Sequence, residues 1–457
     1  MKFADILPSS AGTLARGFAA GSLFTLAAST AAWAQETTTE AAEAAAPVMD
    51  KGDTAWMMTS TLLVLFMIIP GLALFYGGLV RSKNMLSVLM QCTLITAVVM
   101  IVWVLWGYSF AFGGSTSPYW GGMGKLFLSG VNMDSTAATF TDGVVLPEYV
   151  FIAFQMTFAA ITPALIVGAF AERTKFSGVM LFMILWVTFV YFPIAHMVWD
   201  GAGLIFNWGA IDFAGGTVVH INAGVAGLVF AIVVGKRLGI GKDNMAPHSM
   251  TLTMVGAAML WVGWFGFNAG SNLEATSNAT LAMMNTFIAT AGAIVSWSVV
   301  EAITRGKASG LGAASGIVAG LVAVTPACGT SGPVGALVLG LVVSPVCYFF
   351  VSTVKSKFGY DDSLDVFGIH GIGGIVGAIG TGILVAPYLG GTGGDDFNMA
   401  AQVWIQIKAV LVTLVWSGIG SLVIVYIVKA ITGIRVSEED ERIGLDLSAH
   451  GESAYHS

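Results

Sequence analysis

Long apolar stretches, separated by short polar connections, make up most of the chain from Trp56 onward. Eleven of these stretches are long enough to cross a bilayer as helices, which takes about 20 apolar residues each. They cover roughly residues 56–80, 86–112, 148–171, 177–199, 216–235, 248–269, 279–304, 310–330, 332–354, 365–387 and 401–431. The pattern predicts an all-α polytopic membrane protein with eleven transmembrane helices.

Lysine and arginine are distributed unevenly among the connections. The odd-numbered connections contain RSKN, ERTK, GKRLGIGKD, TRGK and KSK, whereas the even-numbered connections 113–147, 200–215, 270–278 and 388–400 contain Lys125 alone. Positively charged loops remain in the cytoplasm. The chain is therefore predicted to lie in the cell (inner) membrane with its N-terminus outside and its C-terminus in the cytoplasm.

Two of the predicted spans share a histidine and glycine pattern. The stretches DFAGGTVVHINAGVAGLV, from Asp212, and DVFGIHGIGGIVGAI, from Asp365, each have glycines four and seven residues after the histidine. Glycines at this spacing allow two helices to approach closely. Because the stretches fall on spans five and ten, we predict two inverted five-span repeats, 54–243 and 244–390, plus one extra helix, 401–431. Together these form a single domain, 54–431.

The two ends of the chain differ from the spans in composition. Residues 1–34 have the organisation of a secretory signal peptide, with an A-x-A cleavage site at Ala32-Trp33-Ala34; the alternative is an uncleaved first helix. An acidic spacer, 35–53, follows and is predicted to be periplasmic. The polar, acidic segment 432–457 is predicted to be a cytoplasmic tail.

Composition narrows the classes of function. Only 10% of the 457 residues are charged and 56% are hydrophobic, whereas soluble domains have about 25% charged residues. The three cysteines lie in apolar runs without C-x-x-C spacing, and the histidines form no H-E-x-x-H or H-x-H motif, so neither a metal site nor a cofactor is expected. The chain also lacks G-x-S-x-G and any paired catalytic aspartate motif, which argues against an intramembrane enzyme.

His220 and His370 are the first candidates for function, because ionisable groups at membrane depth are costly and mark conduction or proton paths. Imidazole can donate through one nitrogen and accept through the other, so a pair in contact could relay a proton without a fixed charge. The spans place His220 near the outer start of span five and His370 near the inner start of span ten. Contact at mid-depth therefore requires both helices to begin inside the protein. His196 has no repeat mate and is interpreted as a structural hydrogen-bonding residue.

A cation could be received at the outer ends of spans three, four and six, where Phe154, Phe158, Trp199 and Ser271 lie. An aromatic face attracts a cation by about 0.5–2 kcal/mol, and a hydroxyl oxygen can accept an ammonium N–H. The alternative for the aromatic residues is an interface belt.

Two aspartates precede the histidine helices. Asp212 either attracts a cation near the outer mouth or caps span five, and both roles are compatible. Asp365 is expected to cap span ten in the same way.

Eight motifs, in order along the chain, resemble those of the ammonium transporter family (Amt/Mep/Rh), in its bacterial Amt branch. They are IPGLALFYGGLVRSKN, AFQMTFAAITPALIVGAFAER, FPIAHMVWDGAG, DFAGGTVVHINAG, GWFGFNAGS, VTPACG, DVFGIHGIGG and GLDLSAHGESAY. The resemblance runs from about Asp53 to the end of the chain. It implies the ammonium-transporter fold and a homotrimer with one pore in each subunit.

The resemblance also implies roles for individual positions. Phe158, Trp199 and Ser271 would recruit ammonium at the outer side, with Asp212 as the acidic residue near the mouth. Phe158 and Phe267 would form a stacked gate, and His220 and His370 the twin-histidine pair in the bore. The pore lining would comprise Leu72, Leu260 and Val366, with Phe75 on the inner side. One departure is Asp200, where the family pattern has glycine in the outer-mouth loop.

The function that follows is electrogenic ammonium uptake, in which NH4+ is bound outside and deprotonated, NH3 crosses, and the proton passes through the histidines. Two alternatives remain open at this stage. One is an electroneutral NH3 gas channel. The other is an ammonium sensor that signals through the tail, because GLDLSAHGESAY resembles a segment that meets a PII-type signalling protein.

Overall fold

The structure, a computed structural model, describes residues 47–455. The predicted signal peptide and most of the predicted spacer lie outside these residues. Ten helices of the described part are long and apolar enough to cross a membrane, and one further apolar helix, α8, is shorter. The bounds are α1 Lys51–Leu79, α2 Ser82–Phe112, α3 Glu148–Phe170, α4 Phe176–Asn207, α5 Gly216–Val234, α6 Met250–Gly270, α7 Ser277–Arg305, α8 Gly310–Val324, α9 Pro333–Phe358, α10 Phe367–Leu384 and α11 Met399–Ile431. The protein is a multi-pass membrane protein.

The first helix begins at Lys51, earlier than the apolar stretch that predicted it. The Asp50 carboxylate caps it by accepting the backbone N–H groups of Gly52 at 2.7 Å and Asp53 at 3.0 Å. A side-chain acceptor at this position satisfies first-turn donors that have no partner within the helix. The cap therefore extends the helix into polar residues that carry no hydrophobic pattern.

The eighth helix ends at Val324, although the apolar stretch predicted a span to residue 330. Pro326 has no N–H with which to continue the helical hydrogen bonds, and residues 325–330 form turns instead. The side-chain amide of Asn285 donates to Cys328 O and to Ser331 O, at 2.7 Å each. These bonds satisfy the carbonyls of a buried segment that is apolar without being helical.

A small sheet interrupts the otherwise helical architecture that we predicted. It contains β1 (Val48–Met49), β2 (Thr136–Ala138) and β3 (Val144–Pro147), in the order β1-β3-β2. β1 pairs parallel to β3, with Val48 opposite Val144, and β2 pairs antiparallel to β3, with Ala137 opposite Leu146. Strands this short have too few alternating positions to be recognised from their sequence. The sheet ties the N-terminal segment to the long connection between α2 and α3.

Helices α5 and α10 cross with their backbones in contact. A Cβ atom on Gly224 would lie 2.3 Å from Gly371 N, and one on Gly374 would lie 2.9 Å from a side-chain carbon of Ile221 and 3.0 Å from Gly216 O. The two contacts are reciprocal, because each glycine four residues after a histidine faces the residues next to the other histidine. Only glycine permits this approach, which brings the two histidine-bearing turns together.

The tail packs against the end of the bundle formed by the odd-numbered connections, here called the inner end. It forms two short helices, α12 (Glu438–Ile443) and α13 (Leu445–His450). The Asp446 carboxylate accepts the N–H groups of Leu86 at 3.0 Å and Ser87 at 2.8 Å, at the start of the α-helical part of α2. Glu441 accepts Leu238 N–H at 2.6 Å. The tail therefore connects the inner ends of α2 and α5.

Candidate functional site

A cavity of about 440 Å³, the outer cavity, lies at the end of the bundle predicted to face outward. All four residues predicted for cation recruitment line it: Phe158, Trp199, Asp212 and Ser271. The Ser271 hydroxyl donates to Phe267 O at 2.8 Å, which leaves its oxygen able to accept a hydrogen bond. The Trp199 ring meets Phe158 edge to face, with centroids 5.7 Å apart, and its N–H donates to Asp212 O at 3.0 Å. The cavity thus combines aromatic faces with a carboxylate and a hydroxyl.

Phe154 and Phe158 of α3 do not form an interface belt. Phe154 and Phe158 are each 1% exposed, and their ring centroids lie 4.9 Å apart. Aromatic residues of a belt sit at the membrane surface, whereas these rings are enclosed by protein and border the outer cavity.

A stacked aromatic pair closes the bottom of the outer cavity. Phe158 and Phe267 have centroids 4.2 Å apart and ring planes inclined by 28°, and both are buried. Phe267 in turn lies 5.9 Å, centroid to centroid, from His220. The pair that resemblance implied as a gate therefore stands between the outer cavity and the first histidine.

The structure brings His220 and His370 into contact. Their Nδ1 atoms are 3.2 Å apart and their rings are stacked at 5.3 Å with an angle of 22°. At this distance one Nδ1 donates and the other accepts, so the two neutral rings hold different tautomers. Nε2 of His220 makes no hydrogen bond to any group in residues 47–455. The second ring, His370, borders a cavity on the far side.

Trp264 is a further member of this group that sequence reasoning missed. Its ring stacks on His220 at 5.3 Å and 19°, and its N–H donates to the Thr325 hydroxyl at 2.9 Å. Trp264 lies three residues before Phe267 on α6, so both share one helix face. That spacing, within the motif GWFGFNAGS, was the available signal.

Asp212 caps the start of α5. One carboxylate oxygen accepts the N–H groups of Gly215 at 3.0 Å and Gly216 at 2.5 Å, and the other accepts Thr217 N–H at 2.8 Å and the Thr217 hydroxyl. These donors at the start of a helix identify Asp212 as its cap. The helix dipole also favours a negative charge at this position. Asp212 nevertheless borders the outer cavity, so its position also suits the attraction of a cation.

The equivalent cap on α10 is Asp362, and our expectation of Asp365 was wrong. Asp362 accepts the N–H groups of Val366 at 3.0 Å and Phe367 at 2.8 Å, whereas Asp365 pairs with Lys355 at 2.7 Å. Asp362 lies eight residues before its histidine, as Asp212 does. Asp365 instead matches Gly215, five residues before the histidine, and both have positive φ, +61° and +115°. Burial raises the pKa of Asp362 to about 6.

A second cavity, the inner cavity of about 330 Å³, borders His370. Phe75, predicted on the inner side of the pore, also lines it. The other three residues predicted to line the pore are buried and line neither cavity: Leu72, Leu260 and Val366. Val366 packs over Gly168 and Gly227, one turn before His370, and Leu260 lies one turn before Trp264. Val366 and Leu260 therefore flank the histidine level between the two cavities.

An ion-pair network at the inner end fixes the segment that leads into α10. Arg237 binds Asp361 at 2.9 Å and Glu172 at 3.1 Å, and Glu172 also binds Arg81 at 3.0 Å. Burial alone would raise the pKa of Glu172, but the guanidinium groups of Arg237 and Arg81 hold it below its ordinary value. The network joins the inner ends of α1, α3 and α5 to the residue that precedes the Asp362 cap.

Comparison with known proteins matches residues 55–455 to the Ammonium Transporter Family. The chain belongs to this family. The ammonium transporter of Aquifex aeolicus (strain VF5) is 49% identical over 414 residues, which cover 89% of this chain and 94% of the relative. The ammonium transporter of Bacillus subtilis (strain 168) is 47% identical over 411 residues, which cover 89% of this chain and 99% of the relative. The predicted family and its bacterial relatives are confirmed.

Solved structures of the family share the fold. A protein described as "Sensor Amt Protein" superposes with a TM-score of 0.80 at 28% identity, covering 87% of this chain and 98% of that chain. The crystal structure of Saccharomyces cerevisiae Mep2 superposes with a TM-score of 0.77 at 34% identity, covering 86% of this chain and 88% of that chain. The arrangement of helices described above is thus that of ammonium transporter relatives.

Proposed function

We propose that this protein is an electrogenic ammonium transporter, which binds NH4+ in the outer cavity and conducts NH3 through the bore while the proton passes along the histidine pair. The observation that carries the proposal is a continuous series of groups between two cavities. The aromatic pair Phe158 and Phe267 leads to His220, which contacts His370, which borders the inner cavity.

The outer cavity suits a small cation that still has water beside it. Aromatic faces from Phe158 and Trp199 supply cation–π attraction, worth about 0.5–2 kcal/mol and more when water is excluded. The Ser271 oxygen can accept one N–H, and the Asp212 carboxylate lies at the same cavity. These groups recruit ammonium without requiring that it enter the bore charged.

The bore itself favours a neutral species. The side chains named around the histidine level are aromatic or aliphatic and buried: Trp264, Phe267, Leu260 and Val366. A bare ion in such surroundings loses many kcal/mol of hydration. Transfer of the proton from NH4+ to the histidine pair removes this barrier, because the NH3 that remains needs only a few hydrogen bonds. The buried Nε2 of His220, which has no protein partner in the described chain, is a suitable group for such a molecule to contact.

The histidine pair supplies the route for the proton. Two imidazoles joined through Nδ1 can transfer a proton by changing tautomers in concert, so that neither ring has to hold a lasting charge. The ammonia is protonated again in the inner cavity, and one positive charge crosses for each ammonium. In this proposal the protein works as a homotrimer in the inner membrane, with the N-terminus periplasmic and the C-terminus cytoplasmic.

Current measured on liposomes containing the purified protein tests this function. An ammonium pulse is expected to produce a current of inward positive charge, and an equal potassium pulse none. Flux of ammonia without current, followed with an internal pH dye, would instead identify the electroneutral gas channel. Absence of both from liposomes that contain folded protein would contradict transport altogether.

The docked tail favours a second function, ammonium sensing through a PII-type partner. Lys83 and Asn84 of α2 bind the tail backbone, through Lys83 Nζ to Arg442 O at 2.6 Å and Leu445 N–H to Asn84 Oδ1 at 2.9 Å. A partner that displaces the tail would break these contacts, and it would thereby act directly on the inner end of the bundle. A structural relative is itself described as a sensor.

A chain that ends at Ile431 separates transport from sensing. We expect ammonium uptake to persist in cells that make it, because all groups between the two cavities precede residue 432. Its uptake is expected to be the same in nitrogen-starved and nitrogen-replete cells, whereas the full chain should differ between them. The full chain with Asp446→Asn, which keeps the tail but weakens its cap on α2, is the matched control. Unchanged regulation in the truncated chain would contradict a regulatory tail.

A further inference from the structure

His196 lies on α4 one turn before Trp199, and its ring is completely buried. Nδ1 lies 2.9 Å from Ala111 O, and Nε2 lies 2.7 Å from Ser117 O. Both neighbours are carbonyl oxygens, which accept hydrogen bonds and cannot donate them. A neutral imidazole carries a single N–H, whereas an imidazolium carries two. The charged ring is therefore the form that satisfies both contacts.

A buried positive charge needs a counter-charge, and Asp200 supplies one. Its Oδ2 lies 3.9 Å from Nδ1 of His196, and its Oδ1 accepts Ala202 N–H at 2.9 Å, which fixes the carboxylate. Two other charged groups near this side, Lys125 and Glu148, are engaged with each other. Lys125 binds Glu148 at 3.0 Å, and Tyr108 donates to Glu148 at 2.8 Å.

Asp200 also borders the outer cavity, together with Phe158, Trp199 and Ser271. A positive charge on His196, without compensation, would stand one helical turn from Trp199 and repel an incoming cation. The Asp200 carboxylate acts on both groups, because it pairs with the His196 ring and also forms part of the cavity wall.

We propose that Asp200 determines the affinity of the outer cavity for ammonium, by neutralising an imidazolium at His196 that would otherwise repel the cation. This inference rests on the proposed transport function and adds a positioning residue to it. In this inference, the pair sets the affinity together with the recruitment residues.

The test is a double-mutant cycle of Asp200→Asn and His196→Gln, read as the ammonium dependence of the liposome current. Asp200→Asn is expected to raise the apparent KM about three- to tenfold at low salt, which is the size expected for the interaction of the cation with one charge across part of a cavity. The maximal current is expected to be unchanged. Raising the ionic strength should reduce the difference. A residue that acted only on stability would lower the maximal current instead.

The second variant identifies the source of the effect. Glutamine at position 196 is neutral and still offers two N–H donors, so the double variant is expected to recover a KM close to that of the original protein. If the double variant keeps the raised KM of Asp200→Asn, the imidazolium is not the cause and the proposal is wrong.

Asp142→Asn is the matched control, because Asp142 lines the same cavity and has no histidine partner at the described contacts. This variant measures the loss of one carboxylate from the cavity wall alone, and it is expected to raise the apparent KM less than Asp200→Asn does. An equal rise would contradict a role for the pair. A protein of native sequence that carries no ammonium current would contradict the proposed function. A normal current with an unchanged KM in Asp200→Asn would contradict this inference alone.

Discussion

Replacing His220 and His370 together by leucine is expected to reduce the ammonium current of reconstituted protein by about 100-fold or more. Positioned groups that accept and give protons contribute about 10²–10⁴-fold to the steps they assist, and leucine offers none. The bore keeps its apolar volume, so NH3 can still pass. The variant should therefore lose current while retaining ammonia flux, measured as alkalinisation inside the same liposomes.

The matched variant is His220→Asp combined with His370→Glu, which keeps titratable groups at both positions. Carboxylates in the bore can hold a bare cation through their fixed charge, so this variant is expected to carry current that no longer distinguishes ammonium from potassium. If it retained the full current with an undiminished preference for ammonium, the imidazoles would not be the relay. Full current in the leucine variant would contradict the relay as well.

Replacing Asp212 by alanine is expected to lower the free energy of unfolding by about 3 kcal/mol or more, because each buried donor left without a partner costs about 1–3 kcal/mol. Asp212 accepts hydrogen bonds from Gly215, Gly216 and Thr217, so alanine leaves at least three backbone donors without their acceptor. The same change displaces the turn that bears His220. We expect a lower melting temperature in detergent and a loss of current.

Two variants at the start of α10 serve as controls for Asp212→Ala. Asp362→Ala removes two N–H contacts at the start of α10 and should destabilise the protein less than Asp212→Ala. Asp365→Ala removes a partly exposed ion pair with Lys355, and ion pairs that reach the solvent are worth about 0–1 kcal/mol. If Asp365→Ala lowered the melting temperature as much as Asp212→Ala, the carboxylate of Asp212 would not act as a buried cap.

The hydrophobic pattern predicted the helices well because burial in lipid requires long apolar runs. It could not predict where a buried run stops being helical, and the end of α8 depends on Pro326 and on bonds from Asn285, which is distant in sequence. The small sheet was missed for a related reason, since its strands pair residues far apart in the chain and are too short to show a period.

The candidate site was predictable to the extent that it follows the histidine and glycine pattern shared by the two stretches. The glycines after each histidine predicted close helices, and Gly224 indeed lies against Gly371. The prediction of the cap on α10 was wrong, because Asp365 is the aspartate nearest to His370 along the chain, whereas the cap is Asp362. The equal spacing of eight residues in the two stretches would have identified the cap. Contacts between α4 and the α2–α3 connection, such as those of His196, have no counterpart in any local pattern.

The backbone contact between Gly224 and Gly371 limits how the protein can move. Gly224 lies on α5 and Gly371 on α10, so rocking one of these helices away from the other would have to separate two backbones that touch without intervening side chains. In the proposed transport, the passage of a molecule would then require motion of side chains, such as the rings of Phe158 and Phe267, rather than of whole helices. Side-chain rotations generally take picoseconds to nanoseconds when rings are free and longer when they are packed. The rate of ammonium transport would accordingly be limited by small, local separations of the stacked rings. This rate should depend only weakly on the thickness or stiffness of the surrounding bilayer.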